Sequence, residues 1–257
     1  MRFTAAFVMS TNMDVLKKVK EWLSFWVNNA QTEAKDEKSP EIKPLLPEDY
    51  LVDVDSCIKP GSGRVLKVMT VADGHGRLME RDLVQLFEQK GLPEVVFLLG
   101  DNFISDINSL LYLLPKGIPI YGIAGNHDAA NLLSDYERIT DLHCKTADLD
   151  GGIKVGALAG SIRYKPDPYF TMFTNEEALE LMKDMPYCDI LITHDKPCFT
   201  LPDTITSHSG LLGIGRYVLE KRPHIVLHGH LHEPYIKRLD NTIIKCCYGA
   251  EIFDVSF

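Results

Sequence analysis

Arg64-Val65-Leu66-Lys67-Val68-Met69-Thr70-Val71-Ala72-Asp73-Gly74-His75 is an apolar, β-branched run that ends on an acid, a glycine and a histidine. Its length and composition are those of a strand, over Arg64–Ala72. The same punctuation recurs four times along the chain. Gly100-Asp101-Asn102 follows Val95–Leu99, and Gly125-Asn126-His127-Asp128 follows Ile118–Ala124. Thr193-His194-Asp195 closes Ile190–Thr193, and His228-Gly229-His230-Leu231-His232 follows Ile225–Leu227. Strands of an open α/β sheet deliver functional groups at their carboxyl ends. Pooled, the clusters offer carboxylates, an amide oxygen and imidazoles. That mixture suits a pair of borderline transition metals better than calcium or a thiolate-bound zinc. The set predicts a two-metal hydrolase.

Between the strand-like runs lie helical patterns over Arg77–Gln89, Ile104–Leu114, Glu176–Lys183 and Leu212–Lys221. Further strand-like runs are Ile153–Leu158 and Thr242–Cys247. The early half reads as βαβ units on a parallel sheet. From Leu227 onward, short strands joined by turns such as Asp240-Asn241 read as a meander on a second sheet. The expected class is α/β: two sheets face to face, with helices outside and a helical appendage at the N-terminus.

That appendage is a separate region. Over residues 13–29, Leu16, Val19, Leu23 and Trp26 recur at helical spacing, with Lys17, Lys18 and Lys20 elsewhere on the helix. Residues 1–30 are therefore expected to form an amphipathic helix. It would pack on its own domain, bind a partner, or lie on a membrane surface, since lysines beside a tryptophan-bearing apolar face are typical of interfacial binding. Residues 31–62, with Pro40, Pro44 and Pro47 among charged residues, read as a solvated linker. The third region is 63–257. The chain has 257 residues, 45 % hydrophobic and 25 % charged, with a formal net charge of −9. Such an acidic balance argues against a grip on long nucleic acids. Six cysteines without a C-x-x-C pair, and no apolar run of about 20 residues, point to a reducing, cytoplasmic setting.

The spacing within clusters has a chemical logic. Residues i and i+2 of an extended segment point to one side, so Asp73 and His75 can reach one metal, and His230 and His232 one site. Asp101 follows a glycine at a strand end and is the natural carboxylate to bridge two cations. Asn126 adds a neutral oxygen. Two divalent ions, two aspartates and a hydroxide leave a residual charge of about +1, which suits a phosphate anion. His127 points away from Asn126 toward substrate, as the candidate to protonate a leaving alkoxide or hold a phosphoryl oxygen. Asp128 or a backbone carbonyl would orient it.

The series D-x-H, GD, GNHD, H and GHxH, at 73–75, 100–101, 125–128, 194 and 229–232, resembles the calcineurin-like metallophosphoesterase family over residues 64–257. The resemblance implies a four-layer α/β/β/α sandwich of two mixed sheets. It implies Asp73, His75, Asp101 and His232 on one metal, and Asp101, Asn126, His194 and His230 on the other, with His127 as the catalytic histidine. The cofactors it implies are two ions among Mn, Fe, Zn, Ni and Co, with Mn favoured. Gly160-Ser161-Ile162-Arg163-Tyr164, Thr193-His194-Asp195-Lys196-Pro197 and His208-Ser209-Gly210 are similar to a branch of small phosphodiesterase-like members. The implied activity is hydrolysis of a small phosphodiester or phosphomonoester, a nucleotide among the candidates, by a metal-bridging hydroxide with His127 as general acid. A nuclease and a non-catalytic scaffold of the same fold are the alternatives. Ile104 stands where many members carry a polar residue that supports the catalytic histidine; the support here would come from Asp128, Asp106 or nothing. The arginine and GNHE of the family's protein phosphatases are absent.

Several other residues have two readings. Arg163 is either a substrate-phosphate contact or a salt-bridge partner. His208 either lines the pocket or belongs to a turn in which Ser209 caps a helix. His228 is expected to face away from the site as a bonded structural histidine, His143 and His224 to be surface or turn residues, and Cys198 to be a small buried one.

Overall fold

The computed structural model describes residues 50–59, 63–129, 131–167, 169–201 and 203–257. The helix expected over 13–29 and most of the linker lie outside them. Strand β2 (Val65–Ala72) opens the first sheet and runs parallel to β3 (Val95–Leu98), β4 (Ile120–Gly122) and β5 (Ile139–Asp141) in turn. The second sheet has a parallel centre: β7 (Lys154–Leu158), β10 (Ile190–Thr193), β11 (Ile225–His228) and β13 (Thr242–Cys246). Its antiparallel flanks are β6 (Thr146–Asp148) on β7 and β12 (Tyr235–Leu239) on β13. A two-stranded pair, β8 (Ser161–Ile162) with β9 (Met172–Phe173), stands apart.

Pleat alternation sorts these strands into layers. Val68, Ala72, Val95 and Phe97 face Val155, Ala157, Ile190, Ile192, Ile225 and Leu227 across the space between the sheets. Their neighbours point the other way. Met69, Val71, Val96 and Leu98 meet Leu83 of α1 (Glu80–Lys90) and Ile107 and Leu110 of α2 (Ile104–Leu113). Leu191, Val226 and Ile244 meet Met182 of α3 (Asn175–Lys183) and Ile214 and Val218 of α4 (Leu212–Lys221). Strands buried on both faces need continuous apolar runs, which is why they are so visible in the sequence. The four-layer α/β/β/α sandwich of two mixed sheets is thus borne out. Among the described residues no helix is long and apolar enough to cross a membrane.

Three differences have physical causes. Residues 50–59, placed by composition in the linker, lie against the second sheet. There β1 (Val52–Asp53) pairs antiparallel with β12, and Cys57 is buried in the intersheet core. The last strand, β14 (Gly249–Ser256), does not continue the meander. It crosses to the first sheet and pairs with β2 along all eight residues, burying Ile252 and Val255. Helix α1 starts at Glu80 rather than Arg77, because the amides of Gly76 and Leu78 are turned toward the Asp106 carboxylate.

Candidate metal centre

The expected ligands gather at the carboxyl ends of both sheets. Asp73, Asp101 and Asn126 leave β2, β3 and β4; His194 follows β10, and His230 and His232 follow β11. Backbone strain concentrates here. Asp73, His75, Asp101, His230 and His232 have φ of 56°, 46°, 54°, 70° and 58°. This left-handed region is disfavoured for residues with a Cβ and tends to mark functional sites. Each i, i+2 pair therefore converges through left-handed turns, not through the pleat expected from the sequence.

Cross-bonds hold those turns. The Asp73 amide donates to the Gly100 carbonyl (3.0 Å) and the His75 amide to the Asp101 carbonyl (3.1 Å). The His230 amide donates to Asp73 Oδ2 (2.8 Å), tying the second sheet to the first. Gly100 has φ 94°, and a Cβ there would lie 2.5 Å from the Gly125 nitrogen and 2.6 Å from His194 Nδ1. Only glycine fits between them.

Two groups of ligand atoms result. Asp73, His75 and His232 form one; Asp101, His194 and His230 form the other, with all atoms of a group within 4.8 Å of one another. His232 Nε2 is 3.4 Å from Asp73 Oδ1. Asp101 Oδ2 lies between the groups, 3.8 Å from His75 Nε2 and 3.5 Å from His194 Nε2. Asn126 Oδ1 is 2.9 Å from His194 Nε2. Asp73 Oδ1 is buried and has no hydrogen-bond partner among the described residues. A buried carboxylate oxygen without a donor is costly, and a cation would satisfy it. Oxygen and imidazole donors with one shared carboxylate fit two divalent transition metals.

Electrostatics agree with that demand. Burial pushes the Asp73 carboxyl up, against the pull of His194. Burial would lower His194, but the Asp101 and Asp73 carboxylates outweigh it and raise its imidazole to about 10. Burial and the neighbouring His194 charge lower His230 to about 3. Asp101, despite burial, is held below the usual carboxylate range by His194 and by the His127 amide. Ligation at His194 therefore competes with the second ring proton that these carboxylates favour.

The model of the calcineurin-like phosphoesterase superfamily domain matches residues 66–245. The chain belongs to that superfamily. The enzyme class expected from the sequence, a metal-dependent phosphoesterase, follows from this membership, and the two ligand groups are candidate sites for its metals. No curated protein matches the chain in sequence. Among solved structures it is similar to protein TT1561 of Thermus thermophilus, with a TM-score of 0.51 at 16 % identity, over 72 % of this chain and 90 % of that one. It is also similar to the phosphopantetheinyl hydrolase of Mycobacterium tuberculosis, with a TM-score of 0.50 at 10 % identity, over 71 % and 89 %. At such identities the likeness is one of fold.

Around the ligands, several readings of the sequence are resolved. The His127 ring is exposed, edge-on to His75 (5.7 Å between centroids) and to Phe170 (6.0 Å), and its amide donates to Asp101 Oδ1 (2.8 Å). No side chain among the described residues hydrogen-bonds its imidazole. Asp128 does not bond it: Asp128 Oδ2 accepts from the Asp101 and Gly125 amides (2.7 and 2.9 Å). Asp106 does not either, since it accepts from Gly76, Leu78 and Phe103. Arg163 is paired with Glu177 (2.8 Å) and donates to the Met172 carbonyl.

The remaining residues sort as follows. His208 stands edge-on to His230 (5.2 Å), beside the cluster. Ser209 caps no helix; its hydroxyl accepts from the Thr206 amide, while Asn175 accepts from Leu212 at the start of α4. His228 faces away, bonded to the Tyr235 hydroxyl (2.7 Å). Cys198 is buried. His143 is not a surface residue: it is half-buried, accepts from the Ala159 amide and stacks on Phe173. His224 is tilted against the Phe257 ring. Sequence reasoning missed Arg77, Phe103 and Phe170. Arg77 donates to the Gly74 carbonyl and lies over Tyr248, which lies against His232. The signal for Arg77 and Phe103 was their place within two residues of a ligand cluster.

Proposed function

We propose that the chain hydrolyses a small phosphodiester or phosphomonoester at a two-metal site. Asp73, His75 and His232 would hold one ion, and Asn126, His194 and His230 the other, with Asp101 shared. Manganese is the ion we favour. Such a pair supplies acidified water and neutralises charge on the phosphoryl oxygens. The observation that carries this reading is the position of Asp101 Oδ2, 3.8 and 3.5 Å from imidazoles of the two groups.

The chain's own groups divide the remaining work. Asp101 has a second task, since its Oδ1 accepts from the His127 amide and so sets where that histidine stands. His127 is exposed, and among the described residues its ring has no hydrogen-bond partner, which leaves it accessible to an entering substrate. Water adds at phosphorus as one of its protons passes to solvent, the P–O bond to the leaving alcohol breaks, and His127 gives its proton to the departing oxygen and is reprotonated from solvent. Asp128 keeps the Asp101 and Gly125 turns together, and is a positioning residue.

The test is hydrolysis of bis(4-nitrophenyl) phosphate by metal-loaded protein, with elemental analysis of the same sample. We expect turnover with two metals per chain, lost on chelation and restored by manganese. No turnover with manganese, iron, zinc, nickel or cobalt would refute the reading.

A further inference from the structure

The first residues of α2 depart from what a helix start beside a polar site should be. Phe103 and Ile104 come two and three positions after the shared carboxylate Asp101, yet both are large apolar side chains left 47 % and 60 % exposed. Neither packs into the layer beneath, which takes Ile107 and Leu110 of the same helix. Phe103 meets the His75 ring edge-on at 5.8 Å. Ala129 and Leu132 face it from the segment after β4. Between them is an open hollow of about 400 Å³ whose lining includes Phe103, Ile104, Ala129, Leu132 and His127.

His127 sits at the edge of this hollow and also beside the ligand cluster, 5.7 Å from the His75 ring. Phe170 stands edge-on to the His127 ring at 6.0 Å, and a backbone bridge joins it to Ala129. The proton donor therefore stands between the phosphate-binding atoms and an apolar space. In a hydrolysis the group next to the acid is the departing alcohol. Single exposed apolar residues are ordinary on a surface, but a concave set next to catalytic polar groups is a binding feature.

We infer that the hollow receives the leaving alcohol, and that the preferred substrates are phosphoesters of aliphatic or aromatic alcohols, not of small polyols. This rests on the two-metal reading above. Ile104 then has a positive role. A polar side chain there could bond the His127 ring, whereas Ile104 cannot and instead extends the apolar wall.

Phosphonates of increasing size test the inference, because a methylene replaces the leaving oxygen and all compete at the phosphate site whether or not they react. Methyl-, hexyl- and 3-phenylpropylphosphonate are compared as inhibitors of bis(4-nitrophenyl) phosphate hydrolysis by the manganese-loaded full chain. We expect 3-phenylpropylphosphonate to bind at least about tenfold more tightly than methylphosphonate, from the apolar area it removes from water. The double variant Phe103→Ser, Ile104→Ser should reduce that ratio to near one. Serine is a favoured residue at a helix start, so the variant should fold. Tyr112→Ser, at a 78 % exposed position on α2, should keep the ratio. Equal inhibition across the series, or a ratio unchanged in the double variant, overturns the inference while leaving phosphoesterase activity in place. Absence of turnover of the reporter overturns both.

Discussion

Single side chains carry two opposed demands at this site, conformational ease and ligand geometry. His232 has φ 58° and a side chain 44 % exposed, so its strain is not offset by core packing. Left-handed backbone costs about 1–2 kcal/mol, and glycine escapes it at a similar entropic cost. His232→Gly should therefore shift the Tm of the metal-free protein little while reducing the rise in Tm on adding manganese. A large fall in the metal-free Tm would refute this. His127→Asn should lower kcat by about 10²–10⁴-fold with metal content retained, and by less for a good leaving group such as 4-nitrophenol. Loss of metal along with activity would instead make His127 structural. His194, raised to about 10 by Asp101 and Asp73, should lose its proton as metal binds. About one proton per chain should then be released near neutral pH, and affinity should rise with pH up to that value. Calorimetry in buffers of different ionisation enthalpy measures it; no buffer dependence would exclude it. The gathering of the seven candidate ligands at one place was legible in the sequence because each lies beside a strand end. The left-handed turns were not, since φ at Asp73 or His75 depends on cross-bonds to residues 100 and 101.

Elements succeed here through a few side chains that tie starts and turns together. Asp106, buried in α2, accepts from the amides of Gly76, Leu78 and Phe103 at 2.7, 2.9 and 2.8 Å. Asp106→Ala would leave these donors without an acceptor, and we expect a loss of about 2–3 kcal/mol in chemical denaturation. A loss below about 0.5 kcal/mol would show that water replaces the carboxylate. The buried parallel strands β2, β3, β10 and β11 were plain in the sequence because both faces are apolar. Strands β5, β6 and β9 have two or three residues each, too few for any period to show. Strand β14 was missed for another reason. Glu251 and Asp254 interrupt it, and its place on β2 is fixed by pairing with a segment far away in sequence.

At the scale of the molecule, the site is shared between two sheets that meet across one core. Candidate ligands 73, 75, 101 and 126 come from the first sheet, and 194, 230 and 232 from the second. Metal should therefore stabilise the whole sandwich. At free metal about a thousandfold above the dissociation constant, the gain is about 4 kcal/mol, visible as a raised Tm that chelator reverses. A Tm indifferent to metal would mean that the ions bind only a locally mobile part. The layered architecture was legible from the order of strand and helix patterns; the crossing of β14 was not, because it depends on which sheet edge remains open. The division of ligands has a practical corollary. A chain cut in the Asp150-Gly151-Gly152 turn would give two fragments, each carrying an incomplete ion cage. Their reassociation would then report on divalent cations, making the pair a split sensor.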